Sequence, residues 1–393
     1  MIDKPLFAAI IALFTLSLMM SYSLSTFTVL YHDFGGLHFF TRQAFAVFMG
    51  IGIMVFLSRL DPDVWFVKIG FALFILSFIA MIVMPFLPES LVKSVLGAKR
   101  WIRLGPVSIS PVEYFKVGFV FFLSWSFSRK MLFHGKLSLW KEIKVILPYM
   151  AIFAVAVMFI AVFQKDLGQV MVLAFTLLIL FSFAGRSLKL FFVNISIGLV
   201  GFVVLVMIAP HRMARIKSWW STVQDSFLGY FPKSMVSEFK VDASAEPYQI
   251  SNALNAIHNG GFWGQGLGNG QFKLGYLSEV HTDFILAGIA EELGFIGLAV
   301  VAFLMAVILF RVFQIASKVE NPAYHLFSMG VGLLIVLAFL VNSYGISGMI
   351  PIKGIAVPFL SYGGSHIMAA SIGIGMVLMI SKRRVIRDKE FMI

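Results

Sequence analysis

The chain has 393 residues, of which 60% are hydrophobic and only 13% are charged. Soluble domains are typically about 45–50% apolar and about 25% charged, so a soluble enzyme, a disordered chain and a secreted disulfide scaffold are excluded. The absence of cysteine excludes thiol catalysis and cysteine-based metal sites. The net charge of +12 comes from basic residues scattered between apolar segments, which indicates contact with anionic membrane lipids and no nucleic-acid partner.

Long apolar segments recur along the whole chain. A membrane-spanning helix needs about 20 mostly apolar residues, and only helices or closed barrels can cross lipid. Because the apolar runs are continuous rather than alternating, we predict an all-α integral membrane protein with about ten transmembrane helices. A single polytopic domain would then cover residues 1–393. The predicted spans lie at about 6–30, 44–58, 66–87, 113–128, 145–163, 169–185, 190–209, 284–310, 325–348 and 366–381.

The lysines and arginines between these spans predict the orientation of the chain. With a cytoplasmic N-terminus, the inner segments hold more of these residues than the outer segments do, as the positive-inside rule requires. An even number of spans then returns the basic C-terminal tail to the cytoplasm. The predicted extracytoplasmic loops cover about 88–112, 210–283 and 349–365. The second of these, between helices 7 and 8, is the largest, so we expect any chemistry on the outer face.

The first long outer loop and the start of the fourth span carry several charged residues. Arg100 and Arg103 flank Trp101, and a guanidinium can bind phosphate oxygens two at a time while an indole face stacks on a sugar or prenyl surface. The alternative is that these residues anchor helix ends at lipid headgroups. Glu113 and Lys116 are three residues apart on one helix face, so they can pair. Their pair either orders the bundle or forms the polar floor of a substrate cavity.

The second long outer loop contains a glycine-rich stretch at 260–270 that does not have the spacing of a dinucleotide-binding motif. This stretch forms either a flexible turn or a backbone segment that approaches a ligand closely. His281, Thr282 and Asp283 follow, and we include the first two among the predicted substrate-binding residues. Thr282 or Asp283 is predicted to be a simple N-cap of the apolar helix that follows. Alternatively, Asp283 stands at the entrance of that helix in its ionised form, which the helix dipole favours. Helical periodicity predicts that it shares one face with Gly294.

The last outer loop, at about 348–365, is rich in proline, glycine and hydroxyl residues and is predicted to be non-helical. Such backbone near a membrane is tolerated only when it is buried in protein or lines a wet cavity. Lys353 would add a cation to that cavity, unless it is a lipid-facing lysine whose ammonium reaches the headgroups. Ser361 and Ser365 complete the predicted substrate-binding groups.

Taken together, these motifs resemble the SEDS family (shape, elongation, division and sporulation), whose members are polytopic peptidoglycan glycosyltransferases. The motifs occur in the family's order along nearly the whole chain. Residues 39–43 and 351–354 favour the cell-division branch over the elongation branch, although Lys165 and Ser278 stand where the family usually has proline. The matching segments are 97–101, 110–116, 164–168, 266–269, 281–285, 291–294 and 358–365.

The resemblance implies that the protein polymerises lipid II, an undecaprenyl-pyrophosphate-linked disaccharide-pentapeptide, into glycan strands on the outer face of the bacterial cytoplasmic membrane at the division septum. It implies that Asp283 is the general base and that cations stabilise the leaving diphosphate. The implied reaction requires no cofactor, although a divalent cation (Mg²⁺ or Mn²⁺) could help the basic side chains to stabilise the leaving diphosphate. The implied partners are a class B penicillin-binding protein, which acts as a transpeptidase, other division proteins and membrane lipids.

Three other functions fit the same spans. The first is an elongation-type polymerase. The second is a lipid II flippase or other transporter that would use Glu113, Lys116 and Glu291 to carry a polar headgroup. The third is a non-catalytic scaffold that recruits the transpeptidase. Transporters tend to place their sites at the membrane midplane on broken helices, whereas the motifs of this chain lie in outward loops, which favours the enzyme.

Overall fold

The computed structural model describes residues 3–94, 97–105, 107–130, 139–184, 188–228, 240, 248–351 and 354–390. Helices dominate these ranges, and β1 (Ile102–Leu104) and β2 (Val107–Ile109) pair as a short antiparallel hairpin. A 3₁₀ turn (Met84–Phe86) extends α4, and a π-helical turn (Phe159–Phe163) extends α6. The helices are α1 (Lys4–Leu24), α2 (Thr26–Tyr31), α3 (His38–Arg59), α4 (Pro62–Val83), α5 (Pro111–Lys130), α6 (Leu139–Met158), α7 (Leu167–Phe183), α8 (Leu188–Met207), α9 (Pro210–Leu228), α10 (Tyr248–Gly260), α11 (Ile285–Lys318), α12 (Pro322–Ile346) and α13 (Gly364–Glu390).

Each apolar segment predicted from the sequence is helical, which confirms the mostly helical fold. The helix α7 is apolar but has only 17 residues, and α5 is more polar because it carries Glu113 and Lys116. The total of ten spans therefore stays a prediction. Eight helices of the described chain have the length and hydropathy of a membrane span: Lys4–Leu24, His38–Arg59, Pro62–Phe86, Trp140–Phe163, Lys189–Met207, Ile285–Lys318, Pro322–Ile346 and Gly364–Lys382.

Three long connections meet at one end of the helix bundle, and we call their described residues the loop end: 97–105 with 107–110, 261–284, and 347–351 with 354–363. The Ser110 amide, just before α5, donates a hydrogen bond to the Ser365 hydroxyl at the start of α13 (2.9 Å). Segments that are far apart in sequence are thereby brought together, as the alternating direction of successive helices requires.

The opposite end of the bundle is closed by polar contacts between helix termini. Asp3, which caps α1, accepts a hydrogen bond from Nε of Arg311 near the end of α11 (3.0 Å). The Tyr324 hydroxyl at the start of α12 donates to Asp63 at the start of α4 (2.8 Å). These contacts fix the relative positions of the four helices that carry them.

Close packing of α4 against α5 fixes the helix that presents Glu113 and Lys116. A Cβ atom at Gly70 would lie 2.2 Å from the Phe121 ring, and a Cβ atom at Gly118 would lie 2.5 Å from the backbone nitrogen of Phe74. Small residues of this kind allow helix backbones in a membrane to approach closely. A larger side chain at either position would push α5 away from α4.

The helix α11 is broken at Gly294, whose φ of 69° and ψ of −166° are non-helical. The glycine-rich loop at 261–266 packs against this break. The Gln265 amide donates to the Glu291 carbonyl (2.9 Å), and a Cβ atom at Gly294 would lie 2.4 Å from the Gly264 nitrogen. Gly264 and Gly294 therefore serve a backbone-to-backbone contact within the protein, which the sequence analysis did not predict.

Candidate active site

Asp283 lies in a tight turn at the loop end, immediately before α11. Three consecutive carbonyls of this turn, from residues 281 to 283, each accept a hydrogen bond from the segment that runs from the end of α12 to the start of α13. The turn is thus held at every residue by a distant part of the chain. The donors are the Tyr362 amide to His281 (2.9 Å), the Ser361 hydroxyl to Thr282 (2.7 Å) and the Asn342 side-chain amide to Asp283 (2.7 Å).

The prediction that Thr282 or Asp283 caps the following helix is wrong. Phe284 occupies the cap position and, within the described residues, provides no side-chain hydrogen bond to the first turn. The Thr282 hydroxyl instead donates back to the Glu279 carbonyl (2.9 Å). Asp283 also shares no helix face with Gly294, because α11 begins after Asp283 and is broken at Gly294.

The surroundings of Asp283 favour its neutral form. Burial raises the pKa of this carboxyl to about 7, the negative charges of Asp166 and Glu279 add to the effect, and the positive charge of Arg100 opposes it. Gly354 covers the carboxylate, since a Cβ atom there would lie 2.6 Å from Oδ2 of Asp283. The predicted stabilisation of the ionised form by a helix dipole is therefore overridden by burial. A carboxyl group with this pKa exchanges a proton near neutral pH, as a general base must.

Arg100 is held beside two carboxylates. Its Nε donates to the Gln164 carbonyl (2.8 Å), and its Nη2 donates to the Lys165 carbonyl (3.2 Å). These bonds engage two of the five N–H donors of the guanidinium. Its charge acts on both Asp166 and Asp283, and burial raises the pKa of Asp166. Asp166 was part of a sequence motif but was not among the predicted site residues.

Trp101 and Arg103, which the sequence analysis predicts to bind a sugar or prenyl surface and phosphate, lie on or beside the β1–β2 hairpin. The Trp101 side chain is 41% exposed, and Arg103 is exposed opposite Ser108 in the hairpin. Both side chains are therefore accessible to a ligand at the loop end. Their contact with substrate stays a prediction.

Glu113 and Lys116 form the ion pair that their spacing predicts, with 2.9 Å between Oε2 and Nζ. The other carboxylate oxygen of Glu113 accepts a hydrogen bond from Nε2 of Gln169 on α7 (2.9 Å). The pair borders a cavity of about 50 Å³ between α5, α12 and α13. His366 also lines this cavity, and its Nε2 is buried without a partner among the described residues. Sequence reasoning missed Gln169 and His366, although His366 directly follows the hydroxyl-rich motif.

The predicted hydroxyl ligands hold the backbone of the loop end. Ser365 Oγ accepts from the Ser110 amide (2.9 Å) and donates to the Ser108 carbonyl (3.1 Å). Ser361 Oγ accepts from the Val357 amide (2.8 Å) while donating to the 282 carbonyl. These bonds favour a positioning role for both serines.

His281 is 3% exposed and packs between two aromatic rings, with centroid distances of 4.8 Å to Phe39 and 5.4 Å to Tyr362. Burial lowers the pKa of its imidazole. These contacts hold the beginning of the turn that carries Asp283. Lys353, the remaining predicted cation, lies outside the described residues.

A second buried charge cluster fixes the glycine-rich loop. The Lys273 ammonium pairs with Glu292 (2.7 Å), whose carboxylate also accepts from the Ser23 hydroxyl (2.7 Å). Glu291 accepts hydrogen bonds from the backbone amides that directly follow the loop, those of Gln271 (2.6 Å) and Phe272 (3.1 Å). Both glutamates are fully buried. They therefore tie the loop to α1 and α11.

In the part of the chain that the structure describes, no three His, Asp or Glu side chains come together as a group that could hold a metal ion. A divalent cation accordingly stays a prediction.

The apolar helices and the acidic site at one end of their bundle define a multi-pass helical membrane protein. The family model described as cell cycle protein, which covers FtsW, RodA and SpoVE, matches residues 4–385. The chain belongs to this family, which confirms the resemblance to SEDS proteins. The "Probable peptidoglycan glycosyltransferase FtsW" of Helicobacter pylori is 46% identical over 382 residues, which cover 97% of this chain and 98% of that protein. Its name agrees with the predicted cell-division branch.

Solved structures support the same fold. The Rod shape determining protein RodA of Thermus thermophilus has a TM-score of 0.65 at 21% identity, with 98% of this chain and 97% of that chain covered. A chain from a peptidoglycan synthase complex that coordinates polymerization and crosslinking has a TM-score of 0.70 at 20% identity, with 98% of both chains covered. At this level of identity the likeness concerns the fold.

Proposed function

We propose that the chain is a peptidoglycan glycosyltransferase that polymerises lipid II into glycan strands during septal cell-wall synthesis. The observation that carries this proposal is the turn at Asp283, whose three backbone carbonyls are held by distant residues and whose carboxyl group lies within the electrostatic influence of Arg100. The FtsW name of the Helicobacter pylori relative supports both the reaction and the septal role.

In the proposed reaction, Asp283 acts as the general base. It accepts the proton of the acceptor sugar's 4-hydroxyl while that oxygen attacks the anomeric carbon of the donor sugar. The bond from this carbon to the lipid diphosphate breaks, and the diphosphate leaves with the electron pair, so the configuration is inverted. With a pKa of about 7, a substantial fraction of the Asp283 carboxyl groups is ionised at neutral pH, and this carboxylate is a stronger base than that of an ordinary aspartate, so it can accept the proton.

Positive charge near the leaving group would stabilise the transition state, because negative charge develops on the diphosphate. Arg100 is the first candidate, since its guanidinium is already oriented by two backbone carbonyls. Lys116, Arg103 and Lys353 are further candidates, and Trp101 offers a face for a sugar or prenyl group. A divalent cation would act through the diphosphate and single carboxylates.

The other predicted substrate-binding residues have different roles in this proposal. Glu113 holds Lys116 at the cavity beneath the loop end, where it remains able to face an anionic headgroup. His281 and Thr282 belong to the turn itself. Ser361 and Ser365 position the segments that surround it.

We propose that the loop end faces outward from the bacterial cytoplasmic membrane and that both termini are cytoplasmic. The chain has no cysteine, so single cysteines can test this orientation directly. A cysteine at Trp263, which is 77% exposed at the loop end, should react with an impermeant maleimide in intact spheroplasts. A cysteine at Lys318, at the opposite end, should react only after the membrane is opened. The reverse pattern would contradict the proposed orientation.

The reaction is tested with purified protein, a class B penicillin-binding protein as the proposed partner, and labelled lipid II, with the products separated by size. We expect glycan chains from the wild type and none from Asp283→Asn. Asp33→Asn makes the same chemical change at an exposed carboxylate in the connection between α2 and α3 and should retain activity. Normal polymerisation by Asp283→Asn would show that the general-base role is wrong. Parallel reactions with EDTA test the proposed divalent cation.

A further inference from the structure

Gln43, in the second turn of α3, has a completely buried side chain that links three separate segments. Its Nε2 donates to the Ser17 hydroxyl on α1 (2.7 Å) and to the Ser361 carbonyl (3.2 Å). Its Oε1 accepts from the Gly363 amide (3.1 Å). The single side-chain amide thus satisfies backbone groups on both sides of Tyr362.

The loop that Gln43 binds is the same loop that holds the turn at Asp283. Ser361, whose carbonyl accepts from Gln43, uses its hydroxyl to donate to the Thr282 carbonyl (2.7 Å). Tyr362, which lies between the two groups bound by Gln43, donates its amide to the His281 carbonyl (2.9 Å). Two of the three bonds that hold the turn therefore depend on a backbone segment whose position Gln43 fixes.

We propose that Gln43 is a positioning residue for the reaction: through the Ser361–Gly363 segment it holds the turn that carries Asp283. This inference rests on the proposed function for its catalytic consequence, but the contact itself can be tested independently. A buried amide is suited to the task because it can donate and accept at the same time, as the Ser361 carbonyl and the Gly363 amide require. No hydrophobic side chain of similar length can satisfy both groups.

The consequence for catalysis follows from the arrangement of the turn. Loss of the Gln43 bonds frees the 361–363 segment, and the 281 and 282 carbonyls lose fixed donors. A displacement of about 1 Å in a reacting group can cost on the order of 10²-fold in rate, whereas distant parts of the substrate still bind. Removal of Gln43 should therefore lower kcat far more than it raises KM for lipid II.

The decisive variant is Gln43→Met. It keeps the length of the side chain but cannot donate a hydrogen bond to the Ser361 carbonyl and provides no amide oxygen to accept one from the Gly363 amide. We expect its kcat to fall by on the order of 10²-fold. Because burial disfavours ionisation, the carboxyl group of Gln43→Glu should be neutral, so it can accept from the Gly363 amide and donate one hydrogen bond, and its kcat should lie between those of Gln43→Met and the wild type. This second variant keeps a polar group in the site if Gln43→Met folds poorly.

A pH profile separates positioning from simple loss of folded protein. Asp283 faces Asp166, Glu279 and Arg100, and its pKa of about 7 depends first on burial. A loosened turn admits water, so the acid limb of kcat in Gln43→Met should move to lower pH. Loss of folded protein would reduce the rate at all pH values and leave that limb unmoved, and this result would overturn the inference.

Two controls define which bond matters. Ser17→Ala removes only the bond from Gln43 to α1 and should leave kcat within the range of the wild type; a loss equal to that of Gln43→Met would assign the effect to helix packing. Thr41→Ala changes an exposed hydroxyl on the same helix. Among the described residues this hydroxyl bonds to carbonyls of its own helix end, so the variant should behave as wild type.

Hydrogen–deuterium exchange tests the contact without any activity measurement. In Gln43→Met, the amides of residues 357 and 359–363 should exchange faster than in the wild type, while those in the middle of α12 should be unchanged. If the wild type makes no glycan but this change is seen, the proposed function fails and the structural contact stands. If the wild type polymerises lipid II and Gln43→Met matches it in rate and exchange, only the role of Gln43 is refuted.

Discussion

Replacing Asp283 with asparagine should stabilise the folded protein, and the gain should grow as the pH rises. The folded carboxyl group has a pKa of about 7 because burial and the nearby negative charges disfavour ionisation, whereas an unfolded aspartate has a pKa of about 3.9. Between these two values the folded state binds more protons than the unfolded state. The free energy of unfolding of the wild type therefore falls as the pH rises through this window, and the amide of Asp283→Asn removes that dependence.

The magnitude follows from the difference between the two pKa values. At 1.36 kcal/mol per unit, about three units correspond to a destabilisation of about 4 kcal/mol once both states are ionised, above about pH 7. At pH 5 the unfolded carboxylate is already ionised, so somewhat less than 2 kcal/mol has been lost. The stabilisation by Asp283→Asn should therefore increase by about 2–3 kcal/mol between pH 5 and pH 8. This is an upper bound, because the side chain keeps partial contact with solvent.

The measurement is thermal unfolding of the purified proteins in detergent at pH 5 and pH 8, at one scan rate, since membrane proteins of this size can unfold irreversibly. The difference in unfolding midpoint between Asp283→Asn and the wild type should be larger at pH 8. Asp33→Asn serves as the control, because the Asp33 carboxylate is exposed and its replacement should give the same small difference at both pH values. An equal difference for Asp283→Asn at the two pH values would refute the reasoning.

Three further predictions concern other parts of the structure. Gly294→Ala should lower the unfolding midpoint strongly, because the residue has a positive φ and its Cβ atom would lie 2.4 Å from a backbone nitrogen of the glycine-rich loop. The control Gly201→Ala, in a helix with open space around it, should be neutral or slightly stabilising. Lys273→Met leaves the buried Glu292 carboxylate unpaired and should cost about 3–5 kcal/mol in the same assay, and adding Glu292→Gln should recover part of the loss. Arg100→Ala should lower kcat for lipid II by on the order of 10²-fold in the polymerisation assay; a fall in folded protein of the same size would contradict a role in transition-state stabilisation.

The helical fold could be predicted from the sequence because its signals are local. Each predicted span is a continuous apolar run, and in lipid such a run can satisfy its backbone groups only as a helix. The pairing of Glu113 with Lys116 was predictable for the same reason, since helical geometry places residues three apart on one face. The β1–β2 hairpin was missed because its strands are only three residues long.

The arrangement around Asp283 could not be predicted from local signals. Its position before an apolar helix favoured a cap, but bonds from distant residues hold the turn instead, and α11 begins two residues later. Asp166 and Gln43 belong to motifs noted in the sequence, yet only the fold shows that Asp166 influences Asp283 and that Gln43 binds the Ser361 carbonyl. Spacing along one chain contains no information on such pairs.

The buried glutamates of α11 bear on the choice between a polymerase and a transporter. A carrier would need Glu291 to release its partners and face a moving headgroup. In the structure Glu291 accepts from the Gln271 amide (2.6 Å) and the Asn259 side chain (3.1 Å), and its neighbour Glu292 is paired with Lys273. Breaking such buried bonds in every cycle would be costly, because an uncompensated buried carboxylate is strongly unfavourable. These groups are therefore better suited to holding the 264–273 segment in one position than to carrying a headgroup across the membrane.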